Sequence, residues 1–192
     1  MSDILGYKGK NVVITGAASG MGQAAAQLLV DAGAQVYALD IAEISVPVAH
    51  RLQVDMKDQA SLDKALKALP GDVYALFNCA GVPNPPFSAA DAVLINFSGL
   101  RYLTEQLLPR ITDGGAIASI ASTAGMGWKP TLARVREFLA LDNQLDTAVE
   151  WLREHGKLVP DGYGFSKQCI IVYTMTRARD LAQRGIRINC IA

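Results

Sequence analysis

The chain has 192 residues, 51% of them apolar and 19% charged, with 18 basic residues balanced by 18 acidic ones. That length suits one domain with a substantial core, and the even charge leaves no electrostatic footprint for nucleic acid or an anionic membrane. Every apolar run is interrupted by Gly, Asp, Arg or Lys before it could cross a bilayer, and the opening MSDILGYKGK lacks the pattern of a signal peptide. Three cysteines (Cys79, Cys169, Cys190) and two histidines (His50, His155) show no metal-ligand spacing, so reduced thiols in a cytoplasm are expected.

In chain order, NVVIT at 11–15 reads as a buried strand, followed by a glycine-rich turn and a helix through GQAAAQLLVDAG that stops at Gly33. QVYALD at 35–40 and HRLQVD at 50–55 are the next strands. SLDKALKAL is a helix, and VYALFN at 73–78 a fourth strand. A helix is expected over 89–111, a fifth strand over 116–121, a long helix over 163–184, and a sixth strand beginning in IRINCI. Short apolar strands alternating with amphipathic helices predict βαβ units, hence an α/β fold with a doubly wound parallel sheet in three layers.

The stretch 127–161 breaks that rhythm. Apolar residues at 132, 135, 138 and 139, then at 145, 148, 149 and 152, give two helices one buried face each, about 132–140 and 144–155. Asp142 or Asn143 is expected to cap the second, and Gly156 to end it. This inserted helical hairpin either covers a site or makes a subunit contact.

The chemistry would gather at the strand ends. In TGAASGMG, residues 15–22, Gly16, Gly20 and Gly22 permit a tight turn and a close approach of backbone to a phosphate, at the N-terminus of the following helix. Asp40 ends the second strand, where a carboxylate accepts from ribose hydroxyls and repels a 2′-phosphate. Neither Ser19 nor Ile41 supplies a cation, so NAD(H) is favoured over NADP(H). Far downstream, YGFSK places Tyr163 and Lys167 four positions apart on one helix. In isolation such a pair is mostly plain helix surface. A tyrosine of ordinary pKa, about 10, is a poor base at neutral pH, and a cation one turn away favours its phenolate. Ser122 lies just past the fifth strand, at the edge where α/β sheets bind ligands, and can hold a substrate oxygen near that phenol.

The combination of TGxxxGxG, the NCAG run at 78–81, Asn96, Ser122 and YGFSK resembles the short-chain dehydrogenase/reductase family, from about Lys8 onward. The resemblance implies catalytic roles for Asn96, Ser122, Tyr163 and Lys167, with Lys167 also bonding the nicotinamide ribose and Asn96 holding a water in a proton relay. It implies a cofactor site that adds Ser19, Met21 and Ile41 to the glycines and Asp40, has Asp55 and Met56 beside the adenine, and is lined by Asn78, Ala80 and Gly81. Cys79 reads as small packing, while Met126 and Trp128 are either a substrate wall or ordinary packing.

Three departures qualify the resemblance. Ser122 and Tyr163 stand 41 positions apart, far more than in most members, because the hairpin intervenes. Gly81 and Asn96 are only 15 apart, across a clipped VPNPPF loop. Both features resemble the bacterial 3α-hydroxysteroid dehydrogenase/carbonyl reductase subgroup, which implies a steroid or another bulky carbonyl substrate and, with the hairpin beside a common subunit-contact helix, a homodimer. The chain also stops at RINCIA, without the substrate-covering loop and last strand of the family, so the native protein is expected to continue beyond Ala192. The expectation is a single NAD-binding oxidoreductase domain over 1–192 that interconverts a secondary alcohol and a ketone. The rivals are a dehydrogenase of a smaller alcohol or sugar and a non-catalytic NAD-binding regulator.

Overall fold

The computed structural model describes residues 5–192, so residues 1–4 of the expected domain lie outside the described residues. Strands β1 (Asn11–Thr15), β2 (Gln35–Asp40), β3 (His50–Gln53), β4 (Val73–Asn78), β5 (Ile111–Ile120) and β6 (Arg187–Ile191) form one parallel sheet. Its order is β3-β2-β1-β4-β5-β6. The direction of winding reverses between β1 and β4, which opens a crevice at their carboxyl ends. The alternation of Cβ direction along a strand sends neighbours to opposite cores. Val12 and Ile14 join one core with Val36, Ala38 and Ala75, beneath α1 (Gly20–Asp31). Val13, Leu39 and Leu76 join the larger core on the other face.

That larger core is covered by α2 (Gln59–Ala68), α4 (Gly99–Leu107) and α7 (Gly162–Ala182). The helix expected over 89–111 is in fact composite. It runs as α3 (Ala89–Val93), a π turn over Leu94–Ser98, α4 and a 3-10 turn over Leu108–Arg110. Strand β5 then begins at Ile111, five positions earlier than expected, because Ile111 pairs with Val73 before an irregularity in the ladder. Strand β3 stops at Gln53, two positions short of the expected end.

The hairpin consists of α5 (Trp128–Ala140) and α6 (Leu145–His155). Neither Asp142 nor Asn143 occupies the N-cap of α6. Gln144 does, and the Asp142 carboxylate instead accepts from the Gln144 N–H at 3.1 Å. Gly156 stands at the C-cap as expected, with an αR backbone leading into a 3-10 turn. An aromatic cluster holds the hairpin down: Phe138 lies 6.0 Å from Phe97 and 5.6 Å from Phe165 between ring centres, and Trp151 stacks on Phe165 with only 6° between the planes. Phe97 belongs to the π turn and Phe165 to the first turn of α7, so the insertion buttresses the two segments that carry Asn96 and Tyr163.

Candidate active site

A cleft of about 490 Å³ opens at the carboxyl ends of β1, β2 and β4. Its floor is the glycine-rich turn. Gly16 has a φ of +71°, and a Cβ there would come 2.6 Å from the Ala80 nitrogen, so the turn and the loop after β4 pack backbone to backbone. Gly22 is equally constrained, since a Cβ would overlap the Gly16 carbonyl oxygen. Thr15 reinforces the contact by accepting from Cys79 N and Ala80 N at 3.2 and 3.1 Å. Ser19 occupies the N-cap of α1 without making a side-chain cap bond, and the first turn has no acidic residue. The leading N–H groups of α1 are therefore left for a ligand.

Asp40 at the end of β2 organises the same turn. Its carboxylate accepts from Ala18 N and from Ala42 N, both at 2.9 Å. Gly16, Ser19, Gly20, Met21, Gly22, Asp40, Ile41, Asp55, Met56, Ala80 and Gly81 all line the cleft. Asn78 does not: it is 1% exposed, and its amide nitrogen donates to Thr104 of α4 and Ser119 of β5, so it reaches the cleft only through the strand it steadies. Phe87, Val82, Ile95 and Lys57 join the lining without having been singled out in the sequence. Lys57 spans to Asp91 on α3 with a 2.8 Å ion pair. Of these, Val82 and Lys57 directly follow singled-out pairs, Ala80–Gly81 and Asp55–Met56, and sequence position was their only signal.

The cleft meets a second group of residues through Gly81. A Cβ on Gly81 would lie 3.3 Å from Asn96 Oδ1 and 3.7 Å from Lys167 Nζ. Asn96, fully buried in the π turn, accepts from Val82 N at 2.7 Å and donates to Val82 O at 3.0 Å. Both ends of its amide thereby bond the backbone of Val82. Lys167 is 4% exposed and donates to the Ile120 carbonyl at 2.7 Å, two residues before Ser122. Burial pushes its pKa from 10.5 down to about 8. Its Nζ stands 5.5 Å from the centre of the Tyr163 ring. The Ser122 turn is pressed onto the same helix, since a Cβ on Gly125 would come 2.7 Å from the Lys167 carbonyl carbon.

Helix α7 begins where it does for local reasons. The Asp161 carboxylate caps it by accepting from Gly164 N at 2.8 Å. A side chain on Gly162 would overlap the Ala89 carbonyl, so this glycine lets Tyr163 start its helix directly against α3. Ser122 Oγ accepts from Ala124 N at 3.2 Å, which keeps its hydrogen available to donate. Met126 is 65% exposed beside that turn, while Trp128 packs partly buried against the larger core. Cys79 lines the cleft as a protonated thiol, pushed up to about 11 by burial. No group of side chains among the described residues is arranged to hold a metal ion.

Comparison with known proteins agrees with this geometry. The family model described as short chain dehydrogenase matches residues 10–133. The chain is 33% identical over 187 residues to a coniferyl-alcohol dehydrogenase of a Pseudomonas strain, covering 95% of this chain and 71% of that protein. It is 29% identical to the 3-alpha-hydroxysteroid dehydrogenase/carbonyl reductase of Comamonas testosteroni, over 94% and 70% of the respective lengths. Among solved structures, the 3-alpha-hydroxysteroid dehydrogenase of Pseudomonas sp. B-0831 complexed with NADH superposes with a TM-score of 0.76 at 26% identity, covering 95% of this chain and 71% of that one.

Proposed function

Because the chain belongs to the short-chain dehydrogenase family, we propose that it is an NAD(H)-dependent oxidoreductase in which Tyr163 is the acid/base group, assisted by Ser122, Lys167 and Asn96. The observation that carries this reading is the position of the Lys167 amine. It is buried between the Ile120 carbonyl, Gly81 of the cleft and the Tyr163 ring, and so joins the end of β5, the loop after β4 and the start of α7 at one point.

The residues present fit a dinucleotide. The uncapped start of α1 suits a pyrophosphate. The Asp40 carboxylate, held by two backbone N–H groups at the cleft wall, keeps lone pairs for ribose hydroxyls. A fixed negative charge there opposes a 2′-phosphate, which supports NAD(H). When bound, the nicotinamide supplies the hydride acceptor or donor. Tyr163 takes the alcohol proton during oxidation and returns it to the carbonyl oxygen during reduction. Ser122 donates its hydrogen to that oxygen and orients it. Lys167, with one donor committed to Ile120, offers the others to the ribose and to charge developing on the tyrosine oxygen. Asn96 fixes the Gly81–Val82 segment.

The substrate class is a secondary alcohol or its ketone, and the hydroxysteroid relatives support a bulky one. Coniferyl alcohol forms a second reading, favoured by the 33% identical relative. The whole domain serves this one reaction as a homodimer in the cytoplasm, without a nucleic-acid partner. The dimer reading rests on the hairpin, which packs along α7 and withdraws part of that helix from another subunit. Free cysteines and balanced charge support the rest, and no described helix is long and apolar enough to cross a membrane.

Turnover of NAD+ with a panel containing a 3α-hydroxysteroid, coniferyl alcohol and simple secondary alcohols, followed by NADH absorbance, tests the reading. Tyr163→Phe is expected to lower kcat by about 10²–10⁴-fold, the range for losing a general acid/base. Full turnover in that variant would remove Tyr163 from the role.

A further inference from the structure

One hydroxyl outside the roles above ties the cleft wall to the acid/base residue. Ser166 is completely buried. Its Oγ donates to the Tyr163 main-chain oxygen at 2.7 Å and accepts from Asn96 Nδ2 at 3.2 Å. Asn96 in turn grips Val82 through both its N–H and its carbonyl, and Val82 lines the cleft. A continuous run of hydrogen bonds therefore leads from the cleft wall, through Asn96 and Ser166, to the backbone that carries the phenol.

A serine hydroxyl bonded to the carbonyl three residues back is ordinary within a helix. The second bond makes this one different, because it crosses to an element 70 positions away in the chain. It also lands in the π turn, where an extra residue per turn gives the local geometry its irregularity. A buried alanine would suit the helix better and needs no partner. The serine instead satisfies Asn96 and loads the first turn of α7, where Gly162 already lies against Ala89 and Asp161 caps Gly164.

We propose that Ser166 is a positioning residue: through Asn96 it couples the Val82 wall of the cofactor cleft to the main chain of Tyr163, so that filling the cleft sets the phenol in place. The proposal rests on the reading of Tyr163 as the acid/base group.

The test uses the full chain labelled with 13Cζ tyrosine, which has six tyrosine signals, the Tyr163 signal being identified by its loss in Tyr163→Phe. In the parent, saturation with NAD+ is expected to move the Tyr163 signal to one sharp new position. In Ser166→Ala, NAD+ should bind within about threefold of the parent affinity, while the Tyr163 signal stays at its free position or broadens. With the alcohol found in the panel, kcat should fall about tenfold and KM stay within about threefold, as loss of one positioning hydrogen bond implies. Adding Asn96→Ala should cost no more than Asn96→Ala alone, because both act on one path.

A Tyr163 signal that responds to NAD+ in Ser166→Ala as it does in the parent overturns the coupling, even if the melting temperature drops, since that is what mere packing would give. If Ser166→Ala fails to fold, Ser166→Gly, which likewise lacks the hydroxyl, is read in the same way. Tyr163→Phe separates the two claims. If it abolishes turnover while Ser166→Ala is indistinguishable from the parent, the coupling falls and the acid/base reading stands. If Tyr163→Phe is fully active, the acid/base reading falls first.

Discussion

Replacing Lys167 by methionine should make the protein more stable and inactive. The side chain is 4% exposed, and its pKa drops from 10.5 to about 8 because burial disfavours the charged form. At about 1.4 kcal/mol per pH unit, carrying that charge costs the folded state about 3 kcal/mol near neutrality. Methionine removes the charge, fills similar volume, and gives up one hydrogen bond to the Ile120 carbonyl, worth about 1 kcal/mol. The balance is about 2 kcal/mol in favour of the variant, or a melting temperature higher by about 4–8 °C for a chain of this size. The pH dependence identifies the cause. Below about 8 the lysine is protonated in both the folded and the unfolded chain, and the cost is present in full. Between about 8 and 10.5 the unfolded chain binds the extra proton, so the parent gains stability as pH rises. The advantage of Lys167→Met should thus be largest at pH 7, shrink between about 8 and 10.5, and become a deficit of about 1 kcal/mol above about 10.5, where the lysine is neutral in both states and only the lost hydrogen bond remains. Calorimetric melting of both proteins without cofactor at these pH values measures it. A variant less stable than the parent at pH 7, or an advantage indifferent to pH, would refute the reasoning.

Two further outcomes follow from packing. Gly162→Ala would drive a methyl group into the Ala89 carbonyl and displace the start of α7, so kcat should fall at least about tenfold while NADH fluorescence titration shows affinity within a few-fold of the parent. Trp151→Ala removes the ring that stacks on Phe165 and lies 4.9 Å from Phe138, together with the Nε1 hydrogen bond to Glu137. Urea denaturation should show a loss of about 3–5 kcal/mol, and a loss below about 1 kcal/mol would mean that the hairpin is not part of the cooperative core.

Under the role proposed for Lys167, its stored cost is a common trade at functional sites, where a buried cation is kept for its chemistry against the preference of the fold. Its neighbours are arranged to make that possible. Gly81 leaves room beside the amine, Gly125 brings the Ser122 turn onto the helix backbone, and the Ile120 carbonyl takes one of its donors.

Local signals determined a good deal here. The apolar runs of β1, β2 and β4 and the glycine-rich turn are written into consecutive residues, and the structure places each strand at its expected bounds. The hairpin was legible for the same reason, since its buried faces repeat with the helical period around Val135, Phe138, Ala148 and Leu152. The breaks in the 89–111 helix were not legible, because a π turn differs from α-helix by a hydrogen-bond shift that composition does not encode. What stabilises that turn lies elsewhere in the chain: Val82 and Ser166 pair with Asn96, and Met56 leaves room only for a glycine at position 99. Likewise Asn78 shares a motif with cleft residues but turns its amide to Thr104 of α4 and to Ser119, its partner in the register of β4 against β5. Periodicity and turn chemistry act over a few residues, so the sequence by itself determined the elements and the residue types gathered at their ends. Which groups meet across 26, 47 or 70 positions was decided only when β4 packed against α4, and the end of β5 and the π turn packed against α7.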